Sequence, residues 1–278
     1  MNNENKTREQ LLEEIGTLHT RVADLEASQA DLERANFSGS DLSDTDLSDA
    51  EHHLDRWLEL GRHGEMEYMR RHGRKRTRPA ELVPGTRRII SARMDYLPRE
   101  PDPSEILKDP SAAFVSRYAL GRDYHKLLRR RLQTLAQRIV SEAGPFGYRA
   151  FVDSAPVMEK AIAAKAGLGW IGQHCQLITR RFGSWIRLGT VFTDMAHPPG
   201  KPIERSFCGR CVRCVEACPA DALKGKAWYP GLERKKILDV AACDRWKKEN
   251  YFQFHQGHNC GICSAVCPYS LKVLKKQP

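Results

Sequence analysis

The sequence contains no hydrophobic run of about 18 residues, which is the length that a helix needs to cross a bilayer. Its first residues, MNNENKTREQLLEE, also lack the apolar stretch and the small-residue cleavage site of a secretory signal. We therefore expect a cytoplasmic protein with no membrane partner and with reduced cysteines. With 278 residues, of which 41% are hydrophobic, the chain is long enough to bury the core of one or two domains.

Cysteine is nearly absent from residues 1–207, where Cys175 is the single example. We interpret Cys175 as an ordinary buried or free thiol rather than a ligand. The glycine-rich run GLGWIG at 167–172 lacks the acidic residue that follows a strand in a dinucleotide-binding unit. A Rossmann site is therefore not supported, and we expect these glycines to let the backbone approach a flat or large ligand.

Charge is distributed unevenly along the chain. Residues 1–60 carry 15 acidic and 5 basic residues, a balance of −10, so the formal charge of +10 for the whole chain leaves +20 for the remainder. A body this basic suggests nucleic acid as a partner. A solvated basic surface is the alternative that charge alone leaves open.

The acidic head shows two periods. Apolar residues from Leu11 to Leu32 alternate in steps of four and three, which predicts a coiled-coil-like helix over residues 1–34. From residue 30 a period of five begins, as in pentapeptide-repeat solenoids. Because so few units make only one coil, we favour an acidic, pentapeptide-like linker over residues 35–50.

Helical and strand patterns alternate in the body, which predicts an α+β fold. Strands are expected at 88–94, 148–153 and 186–192, and helices at 123–142 and 158–166. The run AHPPGKP at 196–202 indicates a boundary. We therefore predict a catalytic domain over residues 51–200 and a cysteine-rich domain over residues 201–278.

Eight cysteines lie between 208 and 267, in the runs CGRCVRCVEACP and CGICSAVCP with Cys243 between them. The first run has the spacing of bacterial ferredoxins, in which the fourth cysteine ligates the other [4Fe–4S] cluster. This spacing predicts two [4Fe–4S] clusters in a ferredoxin-like domain. Cluster one takes Cys208, Cys211, Cys214 and Cys267, and cluster two takes Cys218, Cys243, Cys260 and Cys263. Structural zinc prefers two separate C-x-x-C pairs, and disulfides conflict with a reducing compartment.

Asp153 ends an apolar strand, where burial can raise the pKa of a carboxyl group. Such a group suits a general acid. The sequence equally permits a helix N-cap, because Asp153 precedes the predicted helix at 158–166. Both interpretations of Asp153 remain open.

Several long motifs resemble the epoxyqueuosine reductase family. They are HGEMEYM at 63–69, VSRYALGRDYHK at 115–126, VDSAPV at 152–157, AAKAGLGWIG at 163–172, FGSW at 182–185 and the double cysteine motif. The resemblance covers about residues 50–270. It implies a corrinoid-binding, nitroreductase-like core related to reductive dehalogenases. It also implies reduction of the epoxide of epoxyqueuosine, at the wobble position of tRNA, to the alkene of queuosine.

The resemblance also implies roles for single residues. Asp153 is the expected proton donor, and Arg71, Ser154, His174 and Ser184 are the expected corrinoid contacts. We expect cobalamin bound base-off, with His197 in a loop rather than below the cobalt. The expected partners are tRNA with a queuosine-type anticodon and a low-potential electron donor of flavodoxin or ferredoxin type. The basic segments 70–78 and 129–131 are candidates for tRNA phosphate contacts.

Three departures from the family keep other functions open. The opening helix and strand of the family are replaced by the acidic head, no helical-repeat segment follows the clusters, and the last cysteine run resembles that of reductive dehalogenases. A corrinoid reductase of a small molecule and an electron-transfer protein are therefore the alternatives to the tRNA-modifying enzyme.

Overall fold

The computed structural model describes residues 38–41, 47–64, 66–96, 103–109, 112, 114–120, 123–229, 231–252 and 259–274. The chain divides into two compact units, 1–35 and 36–278, and every described residue belongs to the second. The coiled-coil-like helix predicted for residues 1–34 lies outside the described residues and stays a prediction. Among the described residues, no helix combines the length and the apolar character needed to cross a membrane.

Six strands and nine α-helices are described in the second unit. The strands are β1 (Ser38–Asp41), β2 (Arg88–Asp95), β3 (Tyr148–Phe151), β4 (Trp170–Ile171), β5 (Leu177–Ile178) and β6 (Ile186–Thr193). The helices are α1 (Ser48–Glu59), α2 (Pro79–Leu82), α3 (Pro103–Ile106), α4 (Tyr124–Ala143), α5 (Glu159–Lys165), α6 (Arg213–Glu216), α7 (Val240–Tyr251), α8 (Ile262–Ala265) and α9 (Pro268–Leu274). Short 3-10 helices lie at Glu67–Met69, Gly73–Arg76, Arg117–Ala119 and Arg234–Lys236.

A four-stranded antiparallel sheet in the order β1-β2-β6-β3 forms the centre of the unit. The register pairs Ile90 with Val191 and Ile89 with Phe192. Because side chains alternate along a strand, these two pairs point to opposite faces of the sheet. The predicted strands at 88–94 and 186–192 are confirmed, and the antiparallel pairing gives the predicted α+β class.

Helices cover both faces of this sheet. On one face, Leu128, Leu132 and Ala136 of α4 pack against the layer that contains Ile90 and Val191. On the other face, Ile162 of α5 packs against Ile89, Phe151 and Phe192. The three-layer arrangement buries both sides of the central strands, so consecutive residues are buried at 89–92 in β2 and at 189–193 in β6.

The local sequence explains the position of α4. Asp123 caps its N-terminus by accepting a hydrogen bond from the His125 backbone N–H at 3.0 Å. Gly144 ends the helix with a positive φ of 91°. In β6, a Cβ at Gly189 would lie 2.7 Å from Leu132 Cδ1, so glycine lets α4 approach the sheet closely.

The linker predicted for residues 35–50 is wrong at two places. Ser38–Asp41 forms β1 and pairs along its whole length with β2, and α1 already begins at Ser48. The edge strand is therefore supplied by the period-five segment. Ser-Gly-Ser-Asp has no apolar alternation, so the sequence pattern gave no strand signal there.

The cysteine-rich segment packs onto the central core, although we predicted a separate domain from residue 201. Cys267, Phe207 and Tyr269 pack with Trp170 of β4 and Ile178 of β5. Ala265 of α8 packs with Phe114 and Trp185. Residues 36–278 accordingly form one compact unit without a division at residue 200.

Candidate functional site

The four cysteines predicted for cluster one surround a cavity of about 390 Å³. Cys208, Cys211, Cys214 and Cys267 all line it, together with Gln173 and His174 from the β4–β5 loop. Burial raises the pKa of Cys214 to about 11, and the neighbouring thiols of Cys208, Cys267 and Cys211 add to this effect. The predicted ligand set is therefore assembled around one partly open cavity.

The four cysteines predicted for cluster two also lie together. Burial raises the pKa of Cys263 to about 12, and Cys260, Cys243 and Cys218 are among the thiols that act on it. Cys243 comes from α7, far from the other three in sequence, as the cysteine count predicted. Cys214 of the first group also acts on Cys263, which places the two groups side by side.

The chemistry of this ligand set fits cubane clusters better than single ions. Among the described residues, no group of three or more His, Cys, Asp or Glu side chains is arranged to hold one metal ion. In a [4Fe–4S] cube each thiolate binds a different iron, so the sulfurs stand farther apart than around one zinc ion. The eight described cysteines outside Cys175 are all free thiols, as the clusters require.

Asp153 occupies a left-handed backbone position, with φ at 49°, two residues after the end of β3. Its carboxylate accepts a hydrogen bond from Tyr124 Oη at 2.9 Å, and His125 Nε2 lies 3.3 Å away. The N-cap interpretation is wrong, because α5 begins after Met158 without a side-chain cap. The expected burial is also wrong, since the Asp153 side chain is 62% exposed. Asp153 therefore projects into accessible space while two side chains of α4 hold it.

Glu159 is a half-buried carboxyl group of this site, and the sequence interpretation missed it. Its Oε1 accepts a hydrogen bond from the Asp153 backbone N–H at 3.1 Å. Burial raises the pKa of Glu159 to about 8; the hydrogen bond opposes this effect and the charge of Asp153 adds to it. Glu159 therefore holds a proton at neutral pH, next to the predicted acid.

Arg187 of β6 connects to Asp153 through tyrosine side chains. Its guanidinium carbon lies 3.6 Å from the Tyr124 ring centroid, 5.4 Å from that of Tyr96 and 5.8 Å from that of Tyr118. Nη2 donates to the Tyr118 carbonyl oxygen at 2.7 Å. Since Tyr124 in turn donates to Asp153, a buried cation supports the partner of the predicted acid.

His174 and Ser184 are brought together as the resemblance implied. Burial lowers the pKa of His174 to about 4, so its ring is neutral. Nδ1 accepts the Gln176 backbone N–H at 3.2 Å, which leaves the proton on Nε2, 3.2 Å from Ser184 Oγ. The amide oxygen of the neighbouring Gln173 is buried and has no hydrogen-bond partner among the described residues. Together they form a polar wall beside the cluster-one cavity.

The glycines of the 167–172 run serve internal packing rather than the ligand approach that we expected. A Cβ at Gly167 would lie 2.3 Å from the Lys201 carbonyl oxygen, and one at Gly169 would lie 2.2 Å from the Ile178 carbonyl oxygen. At Gly172 the nearest atom would be Ile178 Cδ1 at 2.4 Å. These positions exclude side chains because the chain itself fills the space.

Other predicted site residues lie apart from these contacts. Arg71 is exposed between two 3-10 helices, and no described hydrogen bond or ion pair joins it to Asp153, His174 or Ser184. Ser154 is exposed, and its hydroxyl donates to the Val152 carbonyl oxygen. Their roles as corrinoid contacts stay predictions.

Two further residues show local roles. Cys175 has a positive φ of 63°, and its carbonyl oxygen accepts from Lys160 Nζ at 2.9 Å. Burial raises the pKa of the Cys175 thiol, which agrees with an ordinary free cysteine. His197 lies in the loop after β6, where its carbonyl oxygen accepts from Arg88 Nε at 2.7 Å.

The basic segment 70–78 is partly used inside the protein. Arg76 is buried and donates to the Met69 and Tyr68 carbonyl oxygens, and Arg78 pairs with Glu51 and Glu81. These arginines organise the turn after α1, which argues against the phosphate contacts predicted for them. Of the predicted segment 129–131 on α4, Arg129 and Arg130 are exposed, whereas Arg131 is half-buried; Arg138, also exposed on α4, lies near Glu142.

Known proteins are similar to this chain over most of its length. Residues 76–154 match a family model described as "Epoxyqueuosine reductase QueG, DUF1730". An epoxyqueuosine reductase of Pseudomonas aeruginosa is 57% identical over 244 residues, which cover 84% of this chain and 65% of the relative. The chain belongs to the epoxyqueuosine reductase family. The enzyme of Escherichia coli is 48% identical over 235 residues, which cover 84% of this chain and 62% of that relative. The chain thus spans somewhat less than two thirds of these relatives.

Two other family models match parts of the chain. Residues 207–270 match a 4Fe–4S double cluster binding domain, so the cysteine-rich segment is a double-cluster domain, as the spacing predicted. Residues 24–51 match a family model described as "Pentapeptide repeats (8 copies)". This second match agrees with the period of five, and it includes the segment that forms β1.

Solved structures of this family share the fold. The epoxyqueuosine reductase of Streptococcus thermophilus aligns with a TM-score of 0.64 at 24% identity, over 89% of this chain and 66% of that one. An epoxyqueuosine reductase with an epoxyqueuosine-modified tRNA stem loop aligns with a TM-score of 0.64 at 23% identity, over 91% of this chain and 66% of that one. A catabolic reductive dehalogenase reaches 0.50 over 66% of this chain and 26% of its own length, at 20% identity.

Proposed function

We propose that this protein reduces the epoxide of epoxyqueuosine in tRNA to the alkene of queuosine. The observation that carries the proposal is the assembly of two complete sets of four cysteines in the same unit as Asp153 and Glu159, where Tyr96 lies against Arg187 and also close to Cys263. Reduction of an epoxide to an alkene and water consumes two electrons and two protons. Double-cluster domains supply electrons singly, and carboxyl groups supply protons.

The residues on the wall of the cluster-one cavity fit a corrinoid. A corrinoid carries carboxamide groups on its rim, and the buried amide oxygen of Gln173 has no partner among the described residues. The neutral His174 and Ser184 add polar contacts without a charge. When bound, cobalamin would supply the low-potential reduction of the carbon–oxygen bond, and these residues would hold it next to cluster one. We propose base-off cobalamin, since His197 lies in a loop and bonds locally.

Asp153 is the proposed proton donor to the epoxide oxygen. Tyr124 fixes Oδ2 of its carboxyl group, which leaves Oδ1 to face the substrate. Glu159 holds the backbone of Asp153 through its N–H and keeps a second proton close by. Arg187 holds the Tyr124 ring, so the acid is positioned by three elements, β6, α4 and α5.

The proposed partners are tRNA with a queuosine-type anticodon and a low-potential donor of flavodoxin or ferredoxin type. A relative has been solved with an epoxyqueuosine-modified stem loop, and the exposed Arg129 and Arg130 offer phosphate contacts on this chain. We propose that the reaction takes place in the cytoplasm, where tRNA is available.

The test is anaerobic reconstitution with iron, sulfide and cobalamin, followed by reaction with epoxyqueuosine-bearing tRNA and a low-potential reductant. Nucleoside analysis should show queuosine. Asp153→Asn should bind cobalamin normally and lose at least about 100-fold in rate, the scale of general acid catalysis. Absence of queuosine from fully loaded wild-type protein would overturn the proposal, and normal turnover of Asp153→Asn would overturn the role of Asp153.

A further inference from the structure

Ser270 is a buried hydroxyl group between the polar wall and cluster one. It lies on α9, three residues after the predicted ligand Cys267, and none of its surface is exposed. Its Oγ accepts the Ser184 backbone N–H at 3.2 Å. Burial raises the pKa of the Cys267 thiol, and the backbone N–H groups of Ser270 and Tyr269 and the Ser270 hydroxyl oppose this effect, which places the hydroxyl beside the sulfur.

The close approach of this hydroxyl depends on Gly183. A Cβ at Gly183 would lie 2.5 Å from both the Cα and the backbone nitrogen of Ser270. Glycine therefore permits the 182–185 turn to contact α9 directly, which puts the Ser184 N–H on Ser270. Because Ser184 also bonds His174, one chain of hydrogen bonds runs from the polar wall to a ligand sulfur of cluster one.

Tyr251 occupies the equivalent position at cluster two. It is the last residue of α7, the helix that also supplies Cys243, and it is 5% exposed. Burial raises the pKa of Tyr251 to about 12; the Cys260 thiol adds to this effect and the Phe114 backbone N–H opposes it, which places both groups beside the Tyr251 hydroxyl. Cys260 also receives the Ile262 backbone N–H. At each group of cysteines a backbone N–H lies beside the hydroxyl oxygen, which leaves the hydroxyl hydrogen free to point to sulfur.

We propose that Ser270 and Tyr251 each donate a hydroxyl hydrogen bond to one ligand sulfur, and that each raises the reduction potential of its own cluster. A hydrogen-bond donor stabilises the more negative, reduced cluster more than the oxidised one, and such bonds help to set cluster potentials. The inference rests on the proposed ligand assignment. It goes beyond the proposed reaction because it assigns tuning residues to each cluster.

The two effects are separable because the sulfurs belong to different groups. Cys267 lies next to Cys208, whereas Cys260 lies next to Cys243 and Cys218. Removal of one hydroxyl should therefore change the reduction potential of one cluster, and the unchanged potential of the other cluster serves as an internal reference. Near-isosteric substitutions remove the hydroxyl with little change in volume.

The experiment is a redox titration of the reconstituted Ser270→Ala and Tyr251→Phe variants, followed by electron paramagnetic resonance in the absence of tRNA. At a fixed potential, loss of one hydrogen bond should lower the reduced-to-oxidised ratio of the affected cluster by about three- to tenfold. A tenfold change corresponds to about 59 mV for a one-electron couple. Ser270→Ala should shift one cluster and Tyr251→Phe the other.

Tyr269→Phe is the matched control. Tyr269 is adjacent to Ser270, but its hydroxyl donates to the Phe207 carbonyl oxygen at 3.3 Å and not to sulfur. Loss of that hydroxyl should leave both potentials unchanged. If Ser270→Ala takes up less than the full complement of iron and sulfide, the potential of cluster one is measured in Ser270→Cys instead. Its S–H group is a weaker donor, so the potential should shift in the same direction by a smaller amount.

Unchanged potentials in fully loaded Ser270→Ala and Tyr251→Phe, or shifts of the same cluster in both, would overturn the inference. The titration uses no substrate, so its outcome is independent of whether the protein forms queuosine. Shifted potentials without queuosine formation would support the tuning role and contradict only the proposed reaction.

Discussion

Two neighbouring carboxyl groups of the site have opposite environments. Asp153 is exposed and hydrogen-bonded to Tyr124, whereas burial raises the pKa of Glu159 to about 8. Pairs of acids in such different environments commonly take different roles. Here the exposed Asp153 can reach a substrate, and the half-buried Glu159 can hold the backbone of Asp153 and keep a proton close to it.

The raised pKa of Glu159 makes a prediction about stability. Between the ordinary value of 4.5 and about 8, the folded protein binds more protons at Glu159 than the unfolded chain does. Stability from this group should therefore be complete below the ordinary value and fall as pH rises through this window. In chemical denaturation, the free energy of unfolding of wild type should fall by an amount on the order of 1–3 kcal/mol over that window. Glu159→Gln should not show this fall, because it has no carboxyl group to titrate.

Glu81→Gln is the control for this experiment. Glu81 is exposed and paired with Arg78, so its replacement should leave the pH dependence of wild type in place. Infrared spectroscopy should also show a protonated-carboxyl band at neutral pH that Glu159→Gln lacks. A wild-type slope retained in Glu159→Gln would contradict the assignment of the proton to Glu159.

Single residues were predictable where their chemistry is local. The cysteine spacing predicted the two groups of four cysteines that the structure brings together, and the end of a strand indicated Asp153. Glu159, Tyr124 and Arg187 were not found, because their contacts join α5, α4 and β6. No local sequence pattern indicates that Arg187 of β6 packs on the ring of Tyr124 of α4.

The position of α9 depends on one turn of the chain. Gly183 has a positive φ of 56°, and its Cα faces the backbone of Ser270. Since α9 begins directly after Cys267, its position also fixes a predicted ligand of cluster one. The turn and the helix therefore act as one structural element of the cluster.

Gly183→Ala should be strongly destabilising for this reason. The added Cβ meets backbone atoms at 2.5 Å, which cannot move aside as a flexible side chain can. We expect a cost of about 3 kcal/mol or more and reduced iron content of the purified protein, measured by thermal unfolding and iron analysis.

Gly85→Ala separates backbone strain from the clash. Gly85 has a positive φ of 81°, but no atom lies within 4 Å of its added Cβ. Its replacement should cost only about 1–2 kcal/mol, the penalty of the left-handed conformation, and leave iron content unchanged. Equal effects at the two glycines would show that contact with α9 is unimportant.

Elements were predictable in proportion to their apolar periodicity. The strands at 88–95 and 186–193 and the helix at 124–143 have long patterns, and the structure confirms each within a few residues. The strand Ser38–Asp41 has no apolar pattern and exists because β2 offers it an open edge. Likewise, the glycines at 167–172 are visible in the sequence, but the chain segments that they contact could not be predicted from it.

At the scale of the whole molecule, only part of the excess positive charge is available to bind a polyanion. The arginines of 70–78 are largely used within the chain: Arg78 bonds Glu51 and Glu81, and Arg76 bonds backbone carbonyl groups. Arg129 and Arg130 on α4 are exposed. Net charge alone therefore overstates the number of arginines available to a polyanion.

This distinction predicts the salt dependence of tRNA binding. Each phosphate contact contributes about 0.7–0.9 to the slope of log K against log salt concentration. The double variant Arg129→Gln and Arg130→Gln should lower the slope by about 1–2 in fluorescence titrations with epoxyqueuosine-bearing tRNA. Arg78→Gln should leave the slope nearly unchanged, because Glu51 and Glu81 already neutralise that cation.

Comparison of wild type, the double variant and Arg78→Gln tests which face of the protein contacts the tRNA. Equal slopes for wild type and the double variant would place the tRNA on a face other than the exposed side of α4. A reduced slope for Arg78→Gln would show that tRNA competes with Glu51 for this arginine, and that the turn after α1 opens on binding. The expected pattern, in which only the α4 variant responds, would put the phosphates on the same helix that holds Asp153 through Tyr124.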